Sequence, residues 1–149
     1  MSTLVDILLS DDYKGTFKSV RDEYSLEATD IDIGLPEYKG VYEELPYSNK
    51  VADLTELGGS VPYNQRKIKA SFIFRGTWEE WHDMISSFSN YVLGQKLYIK
   101  EKSEDGYFYI GRATQFTAKH SSFYVSSVDV EWLCDPYKYS VADPTVTIL

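Results

Sequence analysis

The sequence predicts an α+β fold: an antiparallel β-sandwich-like body, one amphipathic helix packed on it, and a projecting extended arm or hairpin. Three observations carry the prediction. Residues 78–93 place apolar side chains at helical spacing, the flanking segments alternate at strand spacing, and residues 24–62 are interrupted by proline and glycine while holding much of the acid.

The interrupted segment comes first. Pro36, Pro46 and Pro62 are interspersed with Gly34, Gly40, Gly58 and Gly59, and extended pieces such as EATDIDI and GVYEEL lie between the breaks. Proline in such pieces favours an edge or exposed strand over a central one. An acidic arm over about 24–62, attached to a body over about 63–141, is therefore expected within a single domain of residues 1–149.

The body opens with RKIKASFIFR. Ile68, Ala70, Phe72 and Phe74 face one way, and Lys67, Lys69, Ser71 and Arg75 the other, the pattern of a half-buried strand. Next, Trp78, Trp81, Ile85, Phe88 and Val92 share one face of a helix, widened by Met84 and Leu93. Thr77 is placed to cap it with Glu80 in a capping box, Glu79, Glu80 and Asp83 complement the positive end of its dipole, and Gly94 ends it. Such a helix runs roughly 24 Å. KLYIKEK then repeats the strand alternation with Leu97 and Ile99, and Asp105-Gly106 turns the chain into YFYIGRATQF. A last strand follows in SSFYVSSVDVEWLC, with Val128, Val130 and Trp132 on one face. The tryptophans read as core anchors, and His82, about 100° around the helix from Trp81, as a solvated residue.

Composition narrows the class. The chain has 149 residues, enough to bury a core, and its 13 tyrosines suit a strand-rich protein. No apolar run reaches the length of a membrane helix, and MSTLVDILLSDD lacks the basic start of a secretory signal. The single cysteine, Cys134, excludes an internal disulfide framework and a cysteine-based zinc cluster, and its strand context suggests a buried small hydrophobe. The net charge of −8 resides in residues 1–60, which hold thirteen acids against five bases, whereas residues 61–149 balance. That acidity is a solvated surface, a surface to which nucleic acid does not adhere, or one that meets a basic partner.

No chemistry-bearing motif emerges. ELGGSVPY lacks the lysine and hydroxyl of a phosphate-binding loop, neither His82 nor His120 has a triad context, and the two histidines make no local ligand pair. Asp30 with Asp32, and Glu43 with Glu44, are carboxylate pairs of the kind glycosidases use, but they lie in an acidic extended segment where solvated charge is the simpler account. DGYFYIGR has an acid where an RNA-binding strand needs a base. Catalytic, cofactor-binding and metal-ligating residues are thus none, and the protein is not expected to be an enzyme.

One set of residues stands out by order and spacing: Pro36, Glu37, Pro46, Asp53, Leu54, Thr55, Glu56, Tyr63, Arg66 and Phe72 in the first part. It continues through Trp81, Ile85, Ser86, Asn90, Tyr91, Gly94 and Leu97 on and just after the helix, and through Gly106 to Arg112. It closes on Leu133, Cys134, Asp135, Pro136, Tyr137, Lys138, Tyr139 and Ser140. In these residues the chain resembles the N-terminal domain of siphophage distal tail proteins over roughly residues 24–141. The resemblance implies a structural virion protein: a ring, usually a homohexamer, that joins the tail tube to tail-tip or baseplate hub proteins. DNA would pass through its channel without specific binding, and no membrane or cofactor would be involved. Assembly would take place in the host cytoplasm. The C-terminal galectin-like domain of many members is not expected here. An alternative from the residues themselves is a carbohydrate-binding β-sandwich module using Tyr107, Tyr109 and Tyr124 as sugar platforms.

Overall fold

The computed structural model describes residues 6–12, 14–120 and 125–149. In chain order the elements are β1 (Ile7–Ser10), β2 (Lys18–Ser19), α1 (Val20–Tyr24), β3 (Leu26–Ile33), β4 (Tyr42–Glu44), β5 (Val51–Asp53) and β6 (Arg66–Arg75). They continue with α2 (Trp78–Val92), β7 (Lys96–Glu101), β8 (Tyr107–His120), β9 (Val125–Cys134), β10 (Lys138–Ser140) and β11 (Thr147–Ile148). The result is a mostly antiparallel α+β body, as the alternation predicted.

The main sheet runs β2-β1-β7-β8-β9-β6-β3, with β10 and β11 continuing from the start of β8. β6 and β9 pair along their full length, from Arg66 opposite Cys134 to Arg75 opposite Val125. This register puts Ile68 against Trp132, Ala70 against Val130 and Phe72 against Val128, so the apolar alternation of both strands falls on one side. All six are almost completely buried. Leu97 and Ile99 of β7 and Ile7 and Leu9 of β1 extend the same surface. On the opposite face Lys69 stands between Asp32 and Glu131 on the neighbouring strands, an arrangement in which opposite charges stabilise a pleated surface.

Helix α2 covers the apolar side. Trp81, Met84, Phe88 and Val92 are buried, with Ile85 packed partly against them. Phe88 meets Phe72 edge-on at 6.3 Å and Phe116 at 5.7 Å, while Trp81 lies 5.9 Å from Phe74. Thr77 caps the helix as expected, but the Glu80 carboxylate returns to the Thr77 hydroxyl and not to its backbone N–H. Thr77 Oγ1 accepts from the Glu80 N–H at 3.3 Å and donates to the Glu80 carboxylate at 3.1 Å. The helix ends at Val92, and Gly94 takes the left-handed conformation beyond it, φ +76°, with its N–H on Ala113 O.

Three features depart from expectation, the first being Leu93, which lies beyond the end of α2 and is exposed rather than widening its buried stripe. Trp78 is 51 % exposed and is not a core anchor. It sits in the first turn, where it packs on imidazoles instead: His82 at 4.5 Å and His120 at 4.2 Å. His82 is surface-exposed, as expected, but its ring leans on that indole. A second helix, α1, was not anticipated. It has five residues, too few to show a period, and is set by its ends: Ser19 caps Asp22 N–H, and Ser25 closes it at φ +57°.

Candidate functional site

The acidic stretch divides at Gly34. Before it, β3 is the outermost strand of the main sheet, hydrogen-bonded along β6 with a bulge between Ala28 and Asp30. After it, residues 35–62 leave the sheet and return. The base of this excursion is clamped by Lys39 N–H to Pro62 O at 2.8 Å and Asn64 N–H to Glu37 O at 2.7 Å, around a bridge between Tyr38 and Tyr63. Further out, β4 and β5 form an isolated hairpin with Tyr42 opposite Asp53 and Glu44 opposite Val51. Its root is tied to the body by Arg66, which is 3 % exposed and donates through Nε to Gly34 O at 2.9 Å. The guanidinium lies 5.2 Å from the centre of the Tyr109 ring, which compensates part of its desolvation.

This excursion has almost no interior. Thr55 is its one buried residue; its Oγ1 accepts from Val41 N–H at 3.1 Å. Thr55 N–H in turn bonds to Asp53 Oδ1 at 3.0 Å, and the hydrogen bonds from Thr55 hold the Asp53 carboxyl below its ordinary range. By contrast Leu35, Tyr38, Val41, Tyr42, Leu45, Tyr47, Val51 and Leu57 are all exposed. They are eight of the fifteen exposed large apolar residues of the described chain, gathered in less than a fifth of its length. At the tip, Ser48 N–H reaches Leu45 O across Pro46 and Tyr47. Tyr47 sits there at φ +57° with its side chain fully exposed. Turn positions with positive φ normally take glycine or asparagine, so a tyrosine held there is unfavourable for the isolated chain.

An open cleft of about 600 Å³ lies at the base, between Pro36, Tyr38, Tyr42, Val61 and Tyr63 on its apolar walls and Glu37, Asp53 and Glu56. Tyr38 and Tyr42 share a hydrogen bond at 2.7 Å between their hydroxyls. The carboxylate pairs visible in the sequence are not brought together here: Asp30 and Asp32 belong to β3, and Glu43 and Glu44 to β4. Among the described residues no group of three or more His, Cys, Asp or Glu side chains is placed to hold a metal ion, and no helix is long and apolar enough to cross a membrane.

The proposed sugar platform is corrected by the positions of its rings. Tyr109 is only 3 % exposed, its hydroxyl is bound to Glu104 at 3.2 Å, and burial with that carboxylate pushes its pKa up to about 12. Tyr107 is half-covered, with Lys138 Nζ 4.9 Å from its ring centre, and Tyr124 lies outside the described residues. Cys134 is fully buried as expected, and burial pushes its thiol up to about 12.

No family model and no curated protein matches the sequence. Solved structures match the fold, among them two from phage or phage-like tails. One is the Dit (gp 19.1) protein of phage SPP1, described as a paradigm of the hub adsorption apparatus in phages infecting Gram-positive bacteria: TM-score 0.68, 14 % identity, 93 % of this chain and 53 % of that one. This chain thus spans about half the length of that protein. The other is a chain from the tail of an empty GTA particle computed with C6 symmetry: TM-score 0.51, 11 % identity, 92 % of this chain and 95 % of that one. The fold is therefore one shared with a phage hub protein and with a chain of a GTA tail.

Proposed function

We propose that the protein is a structural subunit of a phage tail that assembles through its arm into a ring at the distal end. It performs no covalent chemistry. The observation that carries this is the match of 93 % of the chain to a tail-hub protein, at a level where the fold and not the sequence is shared. The arm supports it independently. An excursion with one buried residue and eight exposed apolar ones has its burial still to come, and a second copy is the partner always present.

In this proposal the ring is hexameric, in keeping with the C6 symmetry of the GTA tail. It joins the tail tube above to tail-tip or baseplate hub proteins below. The main sheet with α2 forms the wall, and the excursion of residues 35–62, the outer part of the acidic arm expected over 24–62, links neighbours within one domain. Exposed Glu43 and Glu44 lie near the channel, where like charge lets DNA pass without adhering. The protein resides in the virion at the tail tip, after assembly in the host cytoplasm.

Electron microscopy of the purified protein, with class averages examined for rotational symmetry, tests this. A ring of six subunits with a central opening is the expected result. A protein that remains monomeric at high concentration, and is absent from tail tips when labelled in particles, would overturn it.

A further inference from the structure

The strand register contains one arrangement that works against the isolated chain. β7 and β8 place Lys96 directly opposite Arg112. Like charges at directly paired strand positions are destabilising. Both side chains are exposed, and neither is paired with a carboxylate among the salt bridges of the described residues; Arg112 reaches only Gly94 O, at 2.9 Å. A shallow cleft of about 320 Å³ beside them includes Asp135, whose carboxylate accepts from the Tyr139 hydroxyl at 3.1 Å.

The arm cleft is the converse. Glu37, Asp53 and Glu56 contribute three acids, no lysine or arginine lines it, and Tyr38, Tyr42 and Tyr63 supply ring faces. Carboxylates beside tyrosine rings suit a basic side chain, which gains charge-assisted hydrogen bonds and a cation–π contact together. Thr55 keeps the Asp53 carboxyl in its charged form. The cleft is open, so it admits a side chain presented by another surface.

We infer that the arm cleft of one copy receives the Lys96–Arg112 pair of a second copy. The charge signs fit, and they differ on the two surfaces. The contact is therefore head-to-tail, the kind that closes into a ring when the rotation permits. It relieves the repulsion across β7 and β8 and neutralises part of the arm. The inference rests on the ring-forming function proposed above and names the two surfaces that meet.

The test is a charge exchange in the full chain, read by sedimentation velocity over a concentration series at low and high salt. Lys96→Glu/Arg112→Glu is one variant and Glu37→Lys/Glu56→Lys the other; each alone is expected to weaken assembly at least ten-fold. An equimolar mixture of the two is expected to recover it at those contacts where opposite signs again meet. Circular dichroism and melting temperature establish that each variant is folded; should either fail, Lys96→Gln/Arg112→Gln and Glu37→Gln/Glu56→Gln replace them, each alone losing assembly and their mixture recovering only pairs in which an intact cleft meets an intact Lys96–Arg112 pair. Wild-type assembly left unchanged by both variants would overturn this contact and leave the ring standing. A wild-type protein that never assembles would overturn the ring itself. If Lys96→Glu/Arg112→Glu abolishes retention of a duplex oligonucleotide without affecting assembly, the pair is a phosphate site and the inference is wrong.

Discussion

Tyr47 gives the most direct test of the arm. Its side chain touches nothing that would stabilise the monomer, and its backbone occupies the left-handed region at φ +57°. For a residue with a Cβ that conformation costs roughly 1–2 kcal/mol. Tyr47→Gly removes the strain, offset by roughly 0.4–1 kcal/mol from the greater freedom of glycine in the unfolded chain. The monomer should thus change by between zero and about 1.6 kcal/mol, in the stabilising direction. Assembly should respond quite differently. A tyrosine buried at a contact removes about 150 Å² from water, worth up to about 4 kcal/mol at about 25 cal/mol per Å². Half of that, about 2 kcal/mol, corresponds to roughly 30-fold in the dissociation constant. Thermal melting of dilute protein measures the first effect, and sedimentation over a concentration series the second. Tyr47→Phe, which keeps the ring, should assemble nearly as the wild type. If Tyr47→Gly melts more than about 5 °C lower, the side chain packs within the monomer; if it assembles normally, the tip is not a contact. Either result refutes the reasoning.

Other expectations concern the body. An added Cβ at Gly111 would lie 2.5 Å from Cys134 Sγ and from Leu133 O, so Gly111→Ala should lower the unfolding free energy by about 2 kcal/mol in urea denaturation. Thr77→Ala removes the α2 cap and should cost about 1 kcal/mol in the same assay, with Thr77→Ser close to wild type. The Cys134 thiol, fully buried and shifted upward, should react with a thiol reagent at pH 8 at least 100-fold more slowly in the folded than in the denatured protein; equal rates would refute its burial. Stability should also fall in alkali. Cys134, Tyr109 and Tyr139 are all raised to about 12, from ordinary values of 9.0 for the thiol and 10.0 for the tyrosines, mainly by burial. The folded state then holds these protons more tightly, so their contribution is complete below pH 9 and lost as pH rises towards 12; Tyr109→Phe should shallow the decline in melting temperature.

The centre of the body, β6 to β9 with α2, was legible because each of these elements announces itself locally. The alternation of Ile68, Ala70, Phe72 and Phe74 requires a one-sided strand, and the Thr77 and Glu80 cap followed by a three-four spacing requires a helix. Trp78 misled because spacing gives direction around a helix and not depth along it; a first-turn residue can point the right way and still overhang the sheet. The facing of Trp78 by both histidines depends on a fold that brings His120 alongside the start of α2, which no local pattern encodes. The arm was visible as a break in periodicity, and its acidity as a count. The exposed set was harder to read, since Leu45, Tyr47 and Leu57 are isolated apolar residues among prolines, glycines and acids. Their one signal was negative: apolar residues with no period have no face to share. The cleft of Glu37, Asp53 and Glu56 and the facing of Lys96 and Arg112 are products of register, which sequence spacing alone did not supply.

The order of strands also governs when the molecule can exist at all. β6 finds one neighbour about forty residues upstream, but the other, β9, is made some sixty residues later, and β1 must wait for β7. During synthesis one edge of β6 therefore stays unpaired until β9 has left the ribosome, although α2, which follows at once, can cover its apolar face, and such distant pairings form slowly. The strongly anionic leading portion that emerges meanwhile repels its counterparts on neighbouring nascent chains, so the same charge that marks the finished arm guards the unfinished body against clumping.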